Sequence, residues 1–237
     1  MVAVSPNLER SYVPETRFGR WFLRTDTWFN FVLKDAILDL HRMTGERLKR
    51  YPVVVDVGCG HGRSFRLLKI MFRATRLIGV EWDDESLAVA KQRAEEDRVA
   101  VELMKGDCAA LDLPDGIADV VFCHQTFHHL VHQEKSLSEF RRVLKPGGLL
   151  LFSESTRAYI HSWIIRLLFA HPMEVQRTAD EYVGMIRDHG FDVLNVSFPY
   201  SWWSRPDFGL LERLGFSPKP HGRRTETLVN VVARKAG

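Results

Sequence analysis

A buried strand followed by a glycine-rich turn is the feature that most constrains the fold of this chain. The apolar run Val53–Val57 leads directly into Gly58, Gly60 and Gly62, and a helix is expected from the last of these to about Phe72. Glycine has no side chain and accepts unusual backbone dihedrals, so such a turn lets the backbone pass close to a ligand. The N-terminus of the helix offers N–H groups to an anion. The segment therefore predicts a strand–turn–helix unit that holds a cofactor.

The spacing of the glycines separates two classes of cofactor site. A dinucleotide fingerprint has the pattern G-x-G-x-x-G, whose third glycine allows close packing of helix and strand. Here the third glycine comes one residue early, at Gly62, and Arg63 stands where the dinucleotide pattern has Gly or Ala. An acidic residue, Asp56, stands two positions before the first glycine. The spacing argues against a nicotinamide-dependent oxidoreductase, which is kept as an alternative.

Strand-like and helical patterns alternate after residue 50, which is typical of a parallel sheet with helices on both faces. Strands are expected at 53–57, 77–81, 99–104, 118–123, 148–152, 191–198 and 227–233, and helices at 83–97, 136–144 and 178–189. Three aromatic-rich segments lie outside this repeat, at 8–48, 156–173 and 200–224. The first contains an amphipathic helix from Thr27 to about Arg42. We therefore predict an N-terminal helical lid over 1–49 and a main domain over 50–237 with insertions at 156–173 and 200–224.

Composition sets limits on the partners and the location of the protein. The 237 residues carry a net charge of +3, and the basic residues are spread along the chain, so we expect no nucleic-acid partner. Three cysteines do not form an even-numbered disulfide framework, which favours reduced thiols. There is no signal-peptide pattern and no apolar stretch near the roughly 20 residues of a spanning helix. We expect a cytoplasmic protein without stable membrane insertion.

Several motifs in register resemble one family. The pattern D-x-G-x-G-x-G over 56–62 is followed by an acidic residue at the end of the second strand, Glu81, and by Asp107 at the end of the third. The segment 140–150, FRRVLKPGGLL, is similar to the family's helix, turn and fifth strand. Across about residues 50–155 the chain resembles the class I S-adenosylmethionine-dependent methyltransferases, and it is most similar to a small-molecule branch that includes quinone-ring C-methyltransferases.

The resemblance implies S-adenosylmethionine as cofactor and an α/β fold. The expected fold is a Rossmann-like seven-stranded, mostly parallel sheet with an antiparallel last strand, helices on both faces and helical lid insertions. Glu81 would accept from both ribose hydroxyls, Trp82 would lie against the adenine, Asp107 would accept from the adenine amine and Cys108 would follow the adenine edge. The predicted cofactor-binding residues are Asp56, Gly58, Cys59, Gly60, Gly62, Glu81, Trp82, Asp107, Cys108, Cys123 and His124.

Histidines after the fourth strand are the candidate catalytic residues. The carboxyl ends of parallel strands face the ligand crevice, so the segment 123–130 should border the methyl group. An imidazole titrates near physiological pH and can take a proton from an acceptor, and His128 is the first candidate and His124 the second. The alternative is that these histidines only pack. His124, His128 and His132 have i, i+4 spacing, but no Cys or carboxylate cluster completes a ligand set, and we expect no metal.

The predicted reaction is methyl transfer to an O, C or N atom of a hydrophobic small molecule, aromatic or lipid-like. No D/N-P-P-Y/F element follows the fourth strand, so methylation of nucleic-acid bases is not expected. The insertions supply apolar side chains for such an acceptor: Tyr12, Trp163, Phe169, Trp202, Trp203 and Phe208. Alternatives for these residues are packing of the lid, a homodimer interface, or contact of 159–169 with a membrane surface. A further alternative is a catalytically inactive, cofactor-binding partner protein.

Overall fold

The computed structural model describes residues 16–46, 48–199 and 226–237. Predictions that fall on the rest of the chain lie outside the described residues: the insertion at 200–224 and the side chains of Tyr12, Trp202, Trp203 and Phe208.

The described residues form a seven-stranded sheet in the order β3-β2-β1-β4-β5-β7-β6. The strands are β1 Val53–Val57, β2 Arg76–Glu81, β3 Glu102–Lys105, β4 Ala118–His124, β5 Leu144–Ser155, β6 Phe191–Ser197 and β7 Leu228–Lys235. Strands β1 to β5 pair in parallel, whereas β7 inserts antiparallel between β5 and β6. The predicted α/β class, the number of strands and the antiparallel last strand are confirmed.

Helices cover both faces of the sheet, as predicted. The α-helices are Arg17–Phe22, Asp26–Trp28, Lys34–Met43, Phe65–Met71, Asp84–Glu96, Gln133–Val143, Arg157–Ile160, Trp163–Leu168 and Ala179–Asp188, with 3-10 turns at Phe127–His129 and Met173–Val175. Strand side chains alternate between the faces. Val55 and Val57 pack with Leu137 and Phe140 on one face, and Val54 packs with the helices around it on the other.

Some boundaries differ from the sequence prediction. The helix after the glycine turn begins at Phe65 rather than Gly62, because Gly62 has φ +71° and the chain is still turning there. The third strand starts at Glu102 rather than at residue 99. The predicted break before the fifth strand is instead an irregularity inside β5, where the four residues 145–148 stand opposite the single Asp119 between the pairs Ala118–Leu144 and Val120–Leu149.

The N-terminal helix contains a π-helical turn. Helical residues run from Asp26–Trp28 through the π turn Phe29–Leu33 into Lys34–Met43. The Thr25 hydroxyl caps the start by accepting from the Trp28 N–H at 3.2 Å. Ile37 and Leu40 are fully buried in the same cluster as Val54, so the C-terminal half of this helix is part of the packed layer on the sheet.

The 156–173 segment packs against the N-terminal residues. The Phe169 ring makes edge contacts with Phe18 and Phe22, at centroid distances of 5.5 and 5.9 Å. The Thr16 hydroxyl donates to the Leu168 carbonyl at 2.6 Å. Trp163 in the same segment remains largely exposed. Within the described ranges, no helix combines the length and the apolar character that crossing a bilayer requires.

Candidate active site

A cleft opens at the carboxyl ends of β1, β2 and β4, the edge where ligands bind in open parallel sheets. Its empty volume is about 1230 Å³, counting the open mouth. The cleft is lined by Arg20, Leu23, Trp28, Leu33, Asp56, Gly58, Cys59, Gly60, His61, Arg63, Ser64, Glu81, Trp82, Asp83, Ser86, Gly106, Asp107, Cys108, Phe122, His124, Gln125, Thr126, His129 and Leu130. The structure thus brings together most of the predicted cofactor residues.

The glycine turn brings its backbone to the cleft, and Gly58 and Gly60 are glycines there for different reasons. Gly58 has φ +71°, and a Cβ there would lie 2.2 Å from the Thr126 side chain, so any larger residue would clash. The Thr126 hydroxyl donates to the Gly58 carbonyl at 3.2 Å and holds the turn against the loop after β4. Gly60 has φ +52°, and no described atom lies within 4 Å of the place where its Cβ would be. A ligand can therefore approach the backbone at Gly60.

The carboxylate of Glu81 is held by backbone amides at the end of β2. Its Oε2 accepts from the Gly60 N–H at 2.9 Å, and its Oε1 accepts from the N–H groups of Trp82 and Asp83 at 2.9 and 3.0 Å. Burial raises its pKa, while the three amide donors oppose that shift. Since a carboxylate has about four acceptor positions, the fixed oxygens can also accept from a ligand.

Asp56 is a second buried carboxylate beneath the glycine turn. Its side chain accepts a hydrogen bond from the Ser64 hydroxyl. Burial, and in smaller part the negative charge of Glu81, raises its pKa to about 7, although the Ser64 bond opposes the shift. Asp56 therefore changes its charge close to neutral pH.

Replacing Asp56 with Asn is expected to stabilise the fold at pH 8 but not at pH 4. The folded-state pKa of Asp56 lies above the unfolded value of 3.8, so its favourable contribution is complete below that value and is lost as pH rises through about 7. Asn stays neutral, so above pH 7 the unfolding free energy of the variant should exceed that of the native protein by up to about 4 kcal/mol. Urea unfolding from pH 4 to 8 would measure this. The exposed Asp192→Asn variant is the control. If the unfolding free energies of the two variants depended on pH in the same way, the raised pKa of Asp56 would be contradicted.

The predicted adenine-side residues lie together across the cleft. Trp82 is 48% exposed, so its ring is accessible to a ligand. Asp107 accepts from the Ala109 N–H at 2.9 Å, which fixes the turn after β3. Cys108 is buried beside it, and burial raises the pKa of its thiol. These side chains can form one wall of a site for a flat ring.

Two predicted cofactor residues do not line the cleft. Gly62 is a packing glycine, since a Cβ there would lie 2.4 Å from the ring of Phe65. Cys123 is fully buried, and its thiol faces Glu154 Oε1 at 3.7 Å. Cys123 points to the opposite face of β4 from its neighbours Phe122 and His124, which line the cleft.

Arg63 was not predicted as a site residue, yet it connects the glycine turn to the N-terminal segment. Its guanidinium donates to the Thr25 carbonyl at 3.0 Å and to Asp26 Oδ1 at 2.9 Å. It also lies 5.0 Å from the centroid of the Phe29 ring. Its side chain is 12% exposed. No local motif identifies this contact, because the partners are about 37 residues away in the chain.

His124, the second catalytic candidate, is enclosed by aromatic rings. It stacks on Phe122 at 5.8 Å and meets the Trp28 ring edge-on at 5.7 Å. Burial lowers its pKa to about 3, against a smaller opposing effect of a hydrogen bond to the Val32 backbone. The imidazole is therefore neutral at physiological pH and a weak proton acceptor, better suited to form the cleft wall.

His128, the first candidate, faces a second pocket beside the cleft. Its Nδ1 lies 2.5 Å from Oε2 of Glu154, and both side chains are buried. Glu154 Oε1 accepts from the N–H groups of Thr126 and Phe127 at 2.9 and 2.8 Å. This bond fixes the ring and directs Nε2 away from the carboxylate, as in other histidine–carboxylate pairs.

The second pocket is mostly apolar and has an empty volume of about 630 Å³. It is lined by Phe22, Leu23, Trp28, Val32, Gln125, His128, His129, Ser155, Tyr159, Ile160, Ile165, Phe169, His171 and Leu228. The 156–173 segment therefore supplies much of its apolar wall. The pocket shares Leu23, Trp28, Gln125 and His129 with the cleft, so the two spaces adjoin.

A family model described as a methyltransferase domain matches residues 55–152, which include the glycine turn, Glu81, Asp107 and the histidine segment. The chain contains a class I methyltransferase domain. The relative and the solved structure described below are both named S-adenosylmethionine-dependent methyltransferases. The match agrees with the resemblance on which the sequence prediction was based.

Curated relatives match the methyltransferase domain over a similar range. A probable S-adenosylmethionine-dependent methyltransferase of Mycolicibacterium smegmatis is 39% identical over 104 residues, which is 44% of this chain and 38% of the relative. The demethylmenaquinone methyltransferase of Thermus thermophilus is 33% identical over 101 residues, 43% of this chain and 46% of the relative. The matched segment thus spans less than half the length of each relative.

A solved structure extends the likeness in fold beyond this segment. An S-adenosylmethionine-dependent methyltransferase from Aquifex aeolicus superposes with a TM-score of 0.65 and 19% identity, covering 92% of this chain and 97% of that one. The cleft of this chain has groups that fit S-adenosylmethionine. An accessible glycine backbone, a fixed carboxylate at Glu81 and an exposed Trp82 ring border one cleft.

Proposed function

We propose that this protein transfers a methyl group from S-adenosylmethionine to an O, C or N atom of a hydrophobic small molecule held in the second pocket. The observation that carries the proposal is the shared wall of Leu23, Trp28, Gln125 and His129 between the cofactor cleft and this pocket. An acceptor in the pocket would lie next to the cofactor. The bound cofactor supplies an activated methyl group, so the protein has to align the acceptor and exclude water.

Different residues of the cleft would bind different parts of the cofactor. Glu81 would accept from the ribose hydroxyls, because its two oxygens are fixed by three backbone amides. Trp82 and Asp107 would bind the adenine, and the backbone at Gly58 and Gly60 would approach the rest of the cofactor. The N-terminal residues up to 49 would act as a lid, since Leu23, Trp28 and Leu33 border the cleft and Arg63 holds that segment to the glycine turn.

The acceptor proposed for the pocket is aromatic or lipid-like. Ligand pockets are mostly apolar with a few placed polar groups, and here Phe22, Ile160 and Phe169 form the apolar surface. Gln125 and Tyr159 are polar groups that could orient it. The Thermus relative is named for a quinone acceptor, which is of this chemical class. We propose neither a nucleic-acid acceptor nor stable membrane insertion; a homodimer through the exposed Trp163 face stays a prediction.

His128 is the proposed general base where the acceptor must lose a proton. Glu154 acts as a positioning residue, because its bond to Nδ1 directs Nε2 into the pocket. His124 is the weaker candidate, since its pKa is lowered to about 3.

The test of the proposed function is transfer of labelled methyl from S-adenosylmethionine to a panel of acceptors. The panel contains hydroquinones, phenols, fatty acids, small amines and a short DNA or RNA duplex. We expect saturable transfer to at least one apolar acceptor and none to the nucleic acids. Transfer to nucleic acid alone would overturn the acceptor class. Absence of transfer to every acceptor, with S-adenosylhomocysteine still bound, would favour the inactive partner protein.

With an acceptor in hand, His128→Gln is expected to lower kcat by about 10² to 10⁴, the usual contribution of a general base. The KM for S-adenosylmethionine should change by less than about threefold, since removal of a group that acts on the reaction step leaves ground-state binding intact. His132→Gln is the matched control outside the pocket. An unchanged kcat in His128→Gln would remove the base from the mechanism.

A further inference from the structure

Three imidazoles meet in the wall of the second pocket. His128 and His129 follow β4, and His171 enters from the 156–173 segment. One ring nitrogen from each lies within 4.8 Å of the others. The ring centroids are 4.3, 5.1 and 4.9 Å apart for the pairs 128–129, 128–171 and 129–171.

This triangle has the dimensions of three histidines around one ion. Zinc binds imidazole nitrogen at about 2.0–2.1 Å with tetrahedral angles, which puts the centroids of the ligand rings about 5 Å apart and their nitrogens about 3.3 Å apart. Two of the observed centroid distances, 5.1 and 4.9 Å, match this value, and the third, 4.3 Å, is shorter. The nitrogens lie within 4.8 Å of one another, so the rings of His129 and His171 would have to turn toward His128 to bind one ion.

Surrounding hydrogen bonds hold the cluster together. Glu154 binds His128 Nδ1 at 2.5 Å, which leaves Nε2 as the coordinating atom. A carboxylate on the far nitrogen is the usual support of a metal-binding histidine. The Gln176 amide, which is buried, donates to the carbonyls of His128 and Pro172 at 2.8 and 2.7 Å. Gln176 thereby ties the segment that carries His171 to the loop that carries the other two histidines.

We infer that His128, His129 and His171 bind a divalent transition-metal ion of the zinc type. Three imidazoles without a thiolate suit zinc and its neighbours in the series rather than magnesium or calcium. Three protein ligands leave a fourth position, and here it would open into the apolar pocket.

The role of the ion builds on the proposed function. An ion at this place would bind an oxygen of the acceptor and lower its pKa, so that its proton passes to water. His128 Nε2 cannot coordinate the ion and accept a proton at once. In the metal-bound protein, His128 is therefore a ligand, and the ion replaces it in activating the acceptor.

The test is titration of the full chain, stripped with a chelator and free of affinity tags, with Co²⁺ as a spectroscopic stand-in for zinc. We expect the visible absorption of a tetrahedral complex to saturate at about one equivalent per chain. Glu154→Gln should weaken binding by about 10- to 100-fold, as removal of a supporting carboxylate does. His171→Ala should weaken it further. His161→Ala is the matched control, an exposed histidine of the same segment.

The outcomes separate this inference from the proposed function. No saturable binding, or equal binding by the native protein and His171→Ala, overturns the metal site. Circular dichroism of His171→Ala shows whether a loss of binding is merely a loss of folding, and His129→Ala then gives an independent second test. S-adenosylhomocysteine binding is measured on the same stripped samples. If S-adenosylhomocysteine does not bind while Co²⁺ still binds, the proposed function is overturned and the metal site is supported. If S-adenosylhomocysteine binds and Co²⁺ does not, the metal site is overturned and the cofactor assignment is unaffected.

Discussion

Replacing Glu81 with Gln is expected to weaken S-adenosylhomocysteine binding by about 100-fold or more. The carboxylate would accept two charge-assisted hydrogen bonds from the ribose, each worth about 1.5–3 kcal/mol, and each 1.4 kcal/mol is tenfold in Kd. In the free protein its oxygens already accept from the N–H groups of Gly60, Trp82 and Asp83. Gln offers one acceptor oxygen and turns an amide N–H₂ toward one of these sites, so part of the arrangement is lost.

Calorimetric titration of the native protein and the variant would measure the change, with NAD as the competing ligand. Glu85→Gln is the matched control. It lies four residues further along, is 68% exposed and makes a 3.4 Å surface ion pair with Arg24, so its loss should change Kd by less than about threefold. Equal affinity for S-adenosylhomocysteine in Glu81→Gln would remove the ribose assignment, and NAD binding in its place would revive the oxidoreductase alternative.

Replacing Glu154 with Ala is expected to cost about 3–5 kcal/mol of unfolding free energy, because the change removes a buried carboxyl group on which several hydrogen bonds converge. This side chain is fully buried and accepts from the Thr126 and Phe127 amides while it holds His128 Nδ1. Its removal leaves buried donors unsatisfied at the point where the chain leaves β4. The expected loss of unfolding free energy thus has two causes, the cavity left by the side chain and the unpaired polar groups around it.

Urea unfolding would measure this, with Glu154→Gln as the informative partner. Gln can still accept from the two backbone amides, so it should lose about 1–3 kcal/mol. The exposed Glu95→Ala should stay within about 0.5 kcal/mol of the native protein. A Glu154→Ala variant within 1 kcal/mol of the native protein would mean that solvent or neighbouring groups replace the carboxylate, contrary to the expected effect.

Much of the fold could be predicted because the pattern of each element is local. The strand before Gly58, the helix capped by Asp83 and the acidic end of β2 at Glu81 all follow from short stretches of sequence. The cofactor cleft was predictable for the same reason, since β1, β2 and β4 each carry their contribution at a carboxyl end. Gly62 and Cys123, also predicted to bind the cofactor, do not line the cleft, because a motif marks positions without showing which way each one faces.

The second pocket depends on contacts between distant parts of the chain, which no local pattern reveals. His171 meets His128 across more than 40 positions, and the interaction of Arg63 with Asp26 joins two segments 37 apart. Glu154 lies near the end of β5, and its bond to His128 appears only when β4 and β5 are paired. The sequence therefore indicated the cofactor more clearly than the acceptor.

The π turn at Phe29–Leu33 determines how the two halves of one helix are rotated relative to each other about the helix axis. Trp28, before the turn, borders both pockets, whereas Ile37, after it, is anchored in the core. A π turn holds about one residue more than an α turn, and each helical residue advances the direction by about 100°. Deletion of one residue from this turn would leave Ile37 in the core and rotate Trp28 away from the walls of the two pockets. The shape of the second pocket can thus diverge among related chains by a change of length alone, without exchanging any side chain that lines it.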